Sequence, residues 1–184
     1  TAVFSVDAMV RVSELETDKS VLKIEGIIDF GIHGECVYVK LPGYPSIYSN
    51  STQGSIKKEE WFHIGMTTDG SRVSLYLDGC YNCCVIGQMT GTNTGSVISI
   101  GTNFIGDMRY VRIFGECLDA DTMKAIMYET DIEKIPFAWY DFTQNPAKER
   151  ISGKTLSLAG AGIKTFTSAI SLMGNSYLEV DQEE

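Results

Sequence analysis

Apolar and polar residues alternate along most of this chain. Between residues 4 and 12, Phe4, Val6, Ala8, Val10 and Val12 are separated by Ser5, Asp7, Met9 and Arg11, the period of two of a half-buried strand. Short strands are predicted at 21–25 and 36–41, separated by a turn region around Gly31 and Gly34. The stretch from Leu41 through Pro42, Gly43, Tyr44 and Pro45 to Gly54 reads as a surface loop. Asp69-Gly70 matches a two-residue type I′ turn, which needs positive φ at both central positions. That turn sets Met66 against Val73, Ile64 against Leu75 and Phe62 against Leu77 on one apolar face. The other face then carries Trp61 opposite Asp78, His63 opposite Tyr76 and Gly65 opposite Ser74, and a slip of one residue would mix the two faces.

Further strands are predicted at 84–89, 96–101, 108–114, 137–143, 155–158 and 169–180. One helix is predicted near 119–129, capped by Asp119 or Asp121, with Met123, Ile126 and Met127 as its apolar stripe and Pro136 beyond its end. About a dozen short strands with a turn signal roughly every ten residues predict an all-β, two-sheet antiparallel jelly-roll sandwich with one short helix.

Composition narrows the function classes. With 184 residues, 43% of them hydrophobic, the chain can bury a real core, and a single domain is expected. The formal net charge of −9 argues against whole-surface affinity for nucleic acid or anionic lipid. The longest uncharged stretch, 79–106, is rich in Gly, Thr and Asn and so is no membrane span. Thr1 is not followed by a basic-then-apolar leader, which reads as a mature chain or a piece of a longer one. Five cysteines, Cys36, Cys80, Cys83, Cys84 and Cys117, cannot all pair within the chain and lack a zinc-ligand spacing. They read as small apolar residues, three of them at one hairpin. Asn50-Ser51-Thr52 has the form of a glycosylation sequon.

The segment Trp61-Phe-His-Ile-Gly-Met-Thr-Thr-Asp-Gly70, followed by Val73-Ser-Leu-Tyr-Leu-Asp-Gly79, resembles the central hairpin of the laminin-G-like, concanavalin A-like jelly-roll family. Ile98-Ser-Ile-Gly101 with Phe104-Ile-Gly-Asp-Met-Arg-Tyr-Val-Arg-Ile-Phe114 resembles that family's late strands. Leu118-Asp-Ala-Asp-Thr-Met-Lys-Ala-Ile126 resembles its terminal helix. Ala138-Trp-Tyr-Asp-Phe142, Ser152-Gly-Lys-Thr-Leu156 and Gly174-Asn-Ser-Tyr-Leu-Glu-Val180 resemble its opening strands, which ought to precede Phe4. Either the chain ends inside a second repeat, or it is one circularly permuted sandwich spanning 1–184, with 135–184 supplying the strands that normally come first. A fragment of about three strands would leave an apolar face open, which favours permutation. Residues 139–142 are then expected in the same sheet as 111–114.

Two places have the chemistry of a sugar site, in which aromatic rings stack on pyranose C–H faces and polar groups take the hydroxyls. One is the polar hairpin face with Trp61, His63, Tyr76 and Asp78, whose residues could instead pack under a neighbouring loop. The other is a loop at 27–34 together with Tyr44, Tyr48 and Asn50. The resemblance makes calcium conceivable at Asp29, Asn103 or Asp107. However, the family's usual Asp-Glu is replaced by Arg109-Tyr110, so no ligand set is assigned and no cofactor is expected. Glu179-Val-Asp-Gln-Glu183 resembles the strand of retaining glucanases that carries nucleophile and acid/base. Against that reading, the motif stands at the chain end and Gln182 occupies a position the family keeps apolar.

The expected function is therefore a non-catalytic module of a larger secreted or surface protein. Its partners would be a carbohydrate or surface glycoprotein and the neighbouring domains of a longer chain, with no nucleic acid and no membrane insertion. The alternatives are a structural spacer of an adhesin, toxin or tail fibre, and a glycoside hydrolase using Glu179 and Glu183.

Overall fold

A computed structural model describes residues 2–50, 53–86, 97–127, 134–143, 148–153, 157–159, 164–165, 170–173 and 177–180. The first eight strands are β1 (Phe4–Val12), β2 (Lys19–Ile24), β3 (Ile28–His33), β4 (Cys36–Lys40), β5 (Ile47–Tyr48), β6 (Trp61–Thr68), β7 (Arg72–Leu77) and β8 (Cys80–Ile86). They are followed by β9 (Ile98–Ile100), β10 (Ile105–Phe114), helix α1 (Ala120–Met127), β11 (Ala138–Asp141) and β12 (Lys148–Glu149). The last four are β13 (Ser157–Ala159), β14 (Lys164–Thr165), β15 (Ile170–Met173) and β16 (Tyr177–Val180).

Among the described residues these strands form two antiparallel sheets. Sheet A has the order β12-β11-β10-β1-β6-β7-β8, with β15 also on β10 and β14 on β15; sheet B has the order β13-β16-β9-β2-β3-β4-β5. The alternation in β1 is realised as written: Val6, Ala8, Val10 and Val12 enter the core while Asp7, Met9 and Arg11 take the outer face. They meet Ile64 and Met66 of β6, Val111 of β10, and Phe30, Ile32, Val37 and Val39 of the opposing sheet, all without exposed surface. Each such side chain contributes about 1.5–3 kcal/mol through burial. The result is an all-β antiparallel sandwich with one short described helix.

Three local expectations are corrected. In the β6–β7 hairpin, Ile64 pairs with Leu77, Met66 with Leu75 and Thr68 with Val73, a register two residues away from the predicted one. A shift of two preserves the apolar face, so alternation could not discriminate between the two registers. Asp69 does not open a two-residue turn; its Oδ1 accepts from the backbone N–H of Ser71 and Arg72, each at 2.8 Å, and stabilises a longer connection. The type I′ geometry occurs one hairpin later, where Leu77 pairs with Cys80 and the intervening Asp78 and Gly79 have φ of 49° and 69°. Hence β8 begins at Cys80 rather than Cys84, and residues 87–89 of the predicted strand lie outside the described residues.

The second correction concerns Gly31, which lies inside β3 and not in a turn. A Cβ there would come within 2.1 Å of the Lys19 carbonyl oxygen, so the glycine serves a close approach of two backbones. The third is the supposed loop at 41–54, which contains β5 paired to β4.

Helix α1 begins as predicted at Asp119, whose Oδ1 accepts from the Thr122 N–H at 2.7 Å. Residues 128–129 of the predicted helix lie outside the described residues. Leu118, Met123 and Ile126 pack on Tyr76 and Phe114, forming a second apolar cluster on the outer face of sheet A.

The C-terminal strands enter both sheets. In sheet A, β11 pairs with β10 through Val111–Tyr140 and Arg112–Trp139, and β15 pairs with β10 through Gly106–Leu172. In sheet B, β16 pairs with β9 through Leu178–Ile100. Tyr140, Phe142 and Leu172 belong to the same buried cluster as the valines of β1.

Candidate functional site

On the polar hairpin face His63 and Tyr76 are buried, Trp61 is half-buried and Asp78 is exposed. The longer register places His63 rather than Trp61 beside Asp78: the Asp78 N–H donates to the His63 carbonyl at 2.7 Å, and Asp78 Oδ1 accepts from the His63 N–H at 3.0 Å. The imidazole points beneath the helix layer and is 1% exposed, and Tyr76 is 4% exposed. Neither ring offers a surface to a sugar.

His63 Nε2 instead lies 2.8 Å from Asp7 Oδ2, and Nε2 is the donor because an ionised carboxylate only accepts. Asp7 also receives two bonds from Arg112, Nε to Oδ1 at 2.9 Å and Nη2 to Oδ2 at 2.5 Å, and Arg112 Nη2 donates to the Ile126 carbonyl of α1 at 3.0 Å. Burial pushes the Asp7 carboxyl up, but the His63 bond and the Arg112 charge outweigh it and hold it below its ordinary range. This buried cluster ties β1, β6 and β10 to the helix and is structural. The sequence signal was the pair Tyr76 and Phe114, large rings on the non-core positions of their strands that call for a cover. Trp61 remains half-buried at the uncovered end of the same face, with the guanidinium groups of Arg109 and Arg11 at 4.3 Å and 5.5 Å from its ring centre.

The described helix packs on sheet A. On sheet B, alternation sends Val37 and Val39 inward and Tyr38 and Lys40 outward. The segment 27–34, predicted as a loop, is mainly strand β3, and its His33 meets Tyr48 of β5 with ring centres 5.4 Å apart and planes tilted by 57°. Tyr48 is 44% exposed and Tyr44 41%. Asp18 joins the pair to a cation: His33 Nδ1 lies 2.6 Å from Asp18 Oδ1, and the Lys40 ammonium contacts Asp18 Oδ2. Lys40 also sits over the ring of Tyr38, whose hydroxyl donates to Asp29 Oδ1 at 2.9 Å.

Partial burial pushes the Asp18 carboxyl up, yet the bonds from Lys40 and His33 prevail and hold it low; the Asp18 bond holds the Lys40 ammonium above its usual range. Burial, reinforced by the neighbouring Asp29 charge, pushes the Tyr38 phenol up, so it stays a neutral donor. The structure thus brings Tyr48 together with His33, and with Asp18, Lys40 and Tyr38, which sequence reading missed. Period two placed Tyr38 and Lys40 on one face, but Asp18 is 22 residues from Lys40 and nothing local joins them. Asn50 lies on the exposed segment after β5, its backbone N–H donating to Asn82 Oδ1 at 2.5 Å.

The conceivable calcium ligands are not gathered. Asp29 is bonded to Tyr38 in sheet B, Asp107 accepts from Arg11 Nε at 2.7 Å in sheet A, and Asn103 occupies a positive-φ turn position at 56°. Among the described residues no three His, Cys, Asp or Glu side chains converge on a metal-sized position. The five cysteines are free thiols. Glu179 lies on β16, paired with Ser99 and Ser157, while Asp181, Gln182 and Glu183 lie outside the described residues. Among the described residues no helix is long and apolar enough to cross a membrane.

No family model and no curated protein matches the sequence. Solved structures do match. A Bacteroides ovatus protein assigned to carbohydrate binding aligns over 97% of this chain with a TM-score of 0.65 at 14% identity, and this chain spans about half of it, 52%. The CBM40 of a Ruminococcus gnavus IT-sialidase, solved with α2,3-sialyllactose, has a TM-score of 0.58 at 10% identity over 68% of this chain and 82% of that one. Domain 4 of an extracellular arabinanase from Geobacillus stearothermophilus, solved with arabinotriose, has a TM-score of 0.54 at 15% identity over 69% of this chain and 68% of that one. At these identities the likeness is one of fold, an antiparallel β-sandwich.

Proposed function

We propose that this chain is a non-catalytic carbohydrate-recognition module of the laminin-G-like, concanavalin A-like kind, carried by a larger secreted or surface protein. Its ligand would lie on the outer face of sheet B. The observation that carries this reading is the exposed Tyr48 ring braced by His33 beside the Asp18–Lys40 pair. An aromatic plane held next to fixed donors and acceptors suits a pyranose, whose C–H face stacks while its hydroxyls exchange hydrogen bonds. Tyr44 and Asn50 are exposed on the segments that flank β5. Such a shallow site binds weakly alone, and repeated modules raise the avidity. The names of the three structural neighbours support the ligand class.

We also read residues 135–184 as part of one sandwich with 1–134, in circularly permuted order relative to the family. The pairing of β11 and β15 with β10, and of β16 with β9, supports this.

The test is a glycan array followed by calorimetry on the best-binding sugar. Tyr48→Ala is expected to weaken binding by roughly tenfold or more, in line with one lost aromatic contact and its buried area, while leaving the melting temperature within about 2 °C, as for a surface substitution. Wild-type affinity in the Tyr48→Ala, His33→Ala double variant, or an array without any bound glycan, would overturn the reading.

A further inference from the structure

The outer face of sheet A carries a second feature that the site on sheet B does not use. Helix α1 covers the part of this face that holds Tyr76, Gly65 and Phe114. The row through Trp61, Arg11 and Asp107 lies beyond it, toward the other ends of β6, β1 and β10. There Met9 pairs with Tyr110 and Val10 with Met108, so Arg109 is the extra residue of a β-bulge. A bulge re-aims side chains, and this one turns the successive residues Arg109 and Tyr110 away from the core that Met108 and Val111 enter. The position where the sequence departs from its family, Arg109-Tyr110, is therefore where the backbone departs from regular pairing.

Arg109 is exposed, and its guanidinium lies 4.3 Å from the centre of the half-buried Trp61 ring. Arg11, on the same ring at 5.5 Å, is neutralised by Asp107. Among the described residues no carboxylate pairs with Arg109. In a chain of net charge −9 this is a cation that no described carboxylate compensates, exposed and braced on an indole. A guanidinium so held keeps its planar N–H fork free for an oxyanion, with less side-chain freedom to lose on binding.

We propose that this end of sheet A is a second ligand site, taking a carboxylate carried on a sugar ring. The carboxylate accepts from the Arg109 fork and the ring lies along the exposed part of Trp61. The sugar as the carrier rests on the reading of the domain as a glycan-binding module; the anion site itself rests on Arg109 and Trp61 alone.

The experiment titrates the intact chain with tetragalacturonate and with the same oligomer fully methyl-esterified, by calorimetry and indole fluorescence. The acid form is expected to bind roughly tenfold or more tightly than the ester, as for hydrogen bonds to a charged group, and to weaken as salt is raised. Arg109→Gln should bring the acid down to the ester's affinity, and Arg109→Lys should restore part of the difference, since it keeps the charge and loses the fork. Trp61→Phe should remove the fluorescence response. Equal binding of acid and ester by the wild type, a preference that survives Arg109→Gln, or no response to either oligomer would overturn the proposal. Acid binding lost in Arg109→Gln but untouched by Tyr48→Ala would uphold this site while the sheet B site fails. Ester binding lost in Tyr48→Ala without an acid preference would do the reverse.

Discussion

Replacing Asp7 by Asn probes what holds the helix layer to sheet A. The substitution preserves shape but removes the carboxylate charge that Asp7 sets against Arg112, whose side chain, like that of Asp7, has no exposed surface. Arg112 keeps its bond to the Ile126 carbonyl and its contacts with the rings of Tyr110 and Trp139, at 4.2 Å and 5.4 Å from their centres. Breaking one side of a buried ion pair costs about 3–5 kcal/mol. For a chain of this size that lowers the melting temperature by roughly 6–20 °C.

The assay is thermal and urea unfolding followed by circular dichroism, with Arg112→Met and the Asp7→Asn, Arg112→Met pair completing a cycle. The pair should cost much less than the two single changes together, because no buried charge is left uncompensated. The pH dependence has a definite sign. Asp7 in the fold is held below its ordinary value of 3.8, so its contribution is complete above that value and fades as pH falls through the lower folded one. Asn does not titrate, and the gap between wild type and Asp7→Asn should close in acid. A loss under about 1 kcal/mol at neutral pH, where ordinary surface changes fall, or a gap that does not narrow as the pH is lowered below 3.8, would refute this account of the cluster.

Gly31→Ala places a Cβ 2.1 Å from the Lys19 carbonyl oxygen and should destabilise by roughly 1–3 kcal/mol, as overpacking does, read as a fall in melting temperature. Gly34→Ala, where nothing stands within 4 Å of the added atom, is the control for space alone, its positive φ of 56° costing only backbone strain. Limited proteolysis should not release residues 135–184 as a separate folded piece, because β11 and β15 hydrogen-bond to β10. A soluble fragment of that span in the digest would show instead that it folds apart from residues 1–134.

Alternation along β1, β4 and β6, the Asp119 cap and the apolar stripe of α1 are local properties, and each survives in the structure because side-chain period and capping depend on near neighbours. Class and most strand positions were legible for that reason. Register was not, because both candidate turns keep Ile64, Met66, Val73 and Leu75 on one face, and the choice is made by the bonds between Asp78 and His63. The same limit governed the candidate sites. Trp61, His63, Tyr76 and Asp78 share a face in one dimension, yet whether that face meets solvent depends on α1 folding back over it, which buries His63 and Tyr76 and leaves Trp61 half-buried and Asp78 exposed. Tyr48 was visible as an exposed aromatic, while Asp18, His33 and Lys40 come together from β3, β4 and the segment before β2 through strand pairing. The amino-acid order by itself determined that the chain makes half-buried strands around an aliphatic core. Tertiary structure alone decided which outward-facing residues meet solvent, because burial of a surface is set by what packs on it from elsewhere in the chain.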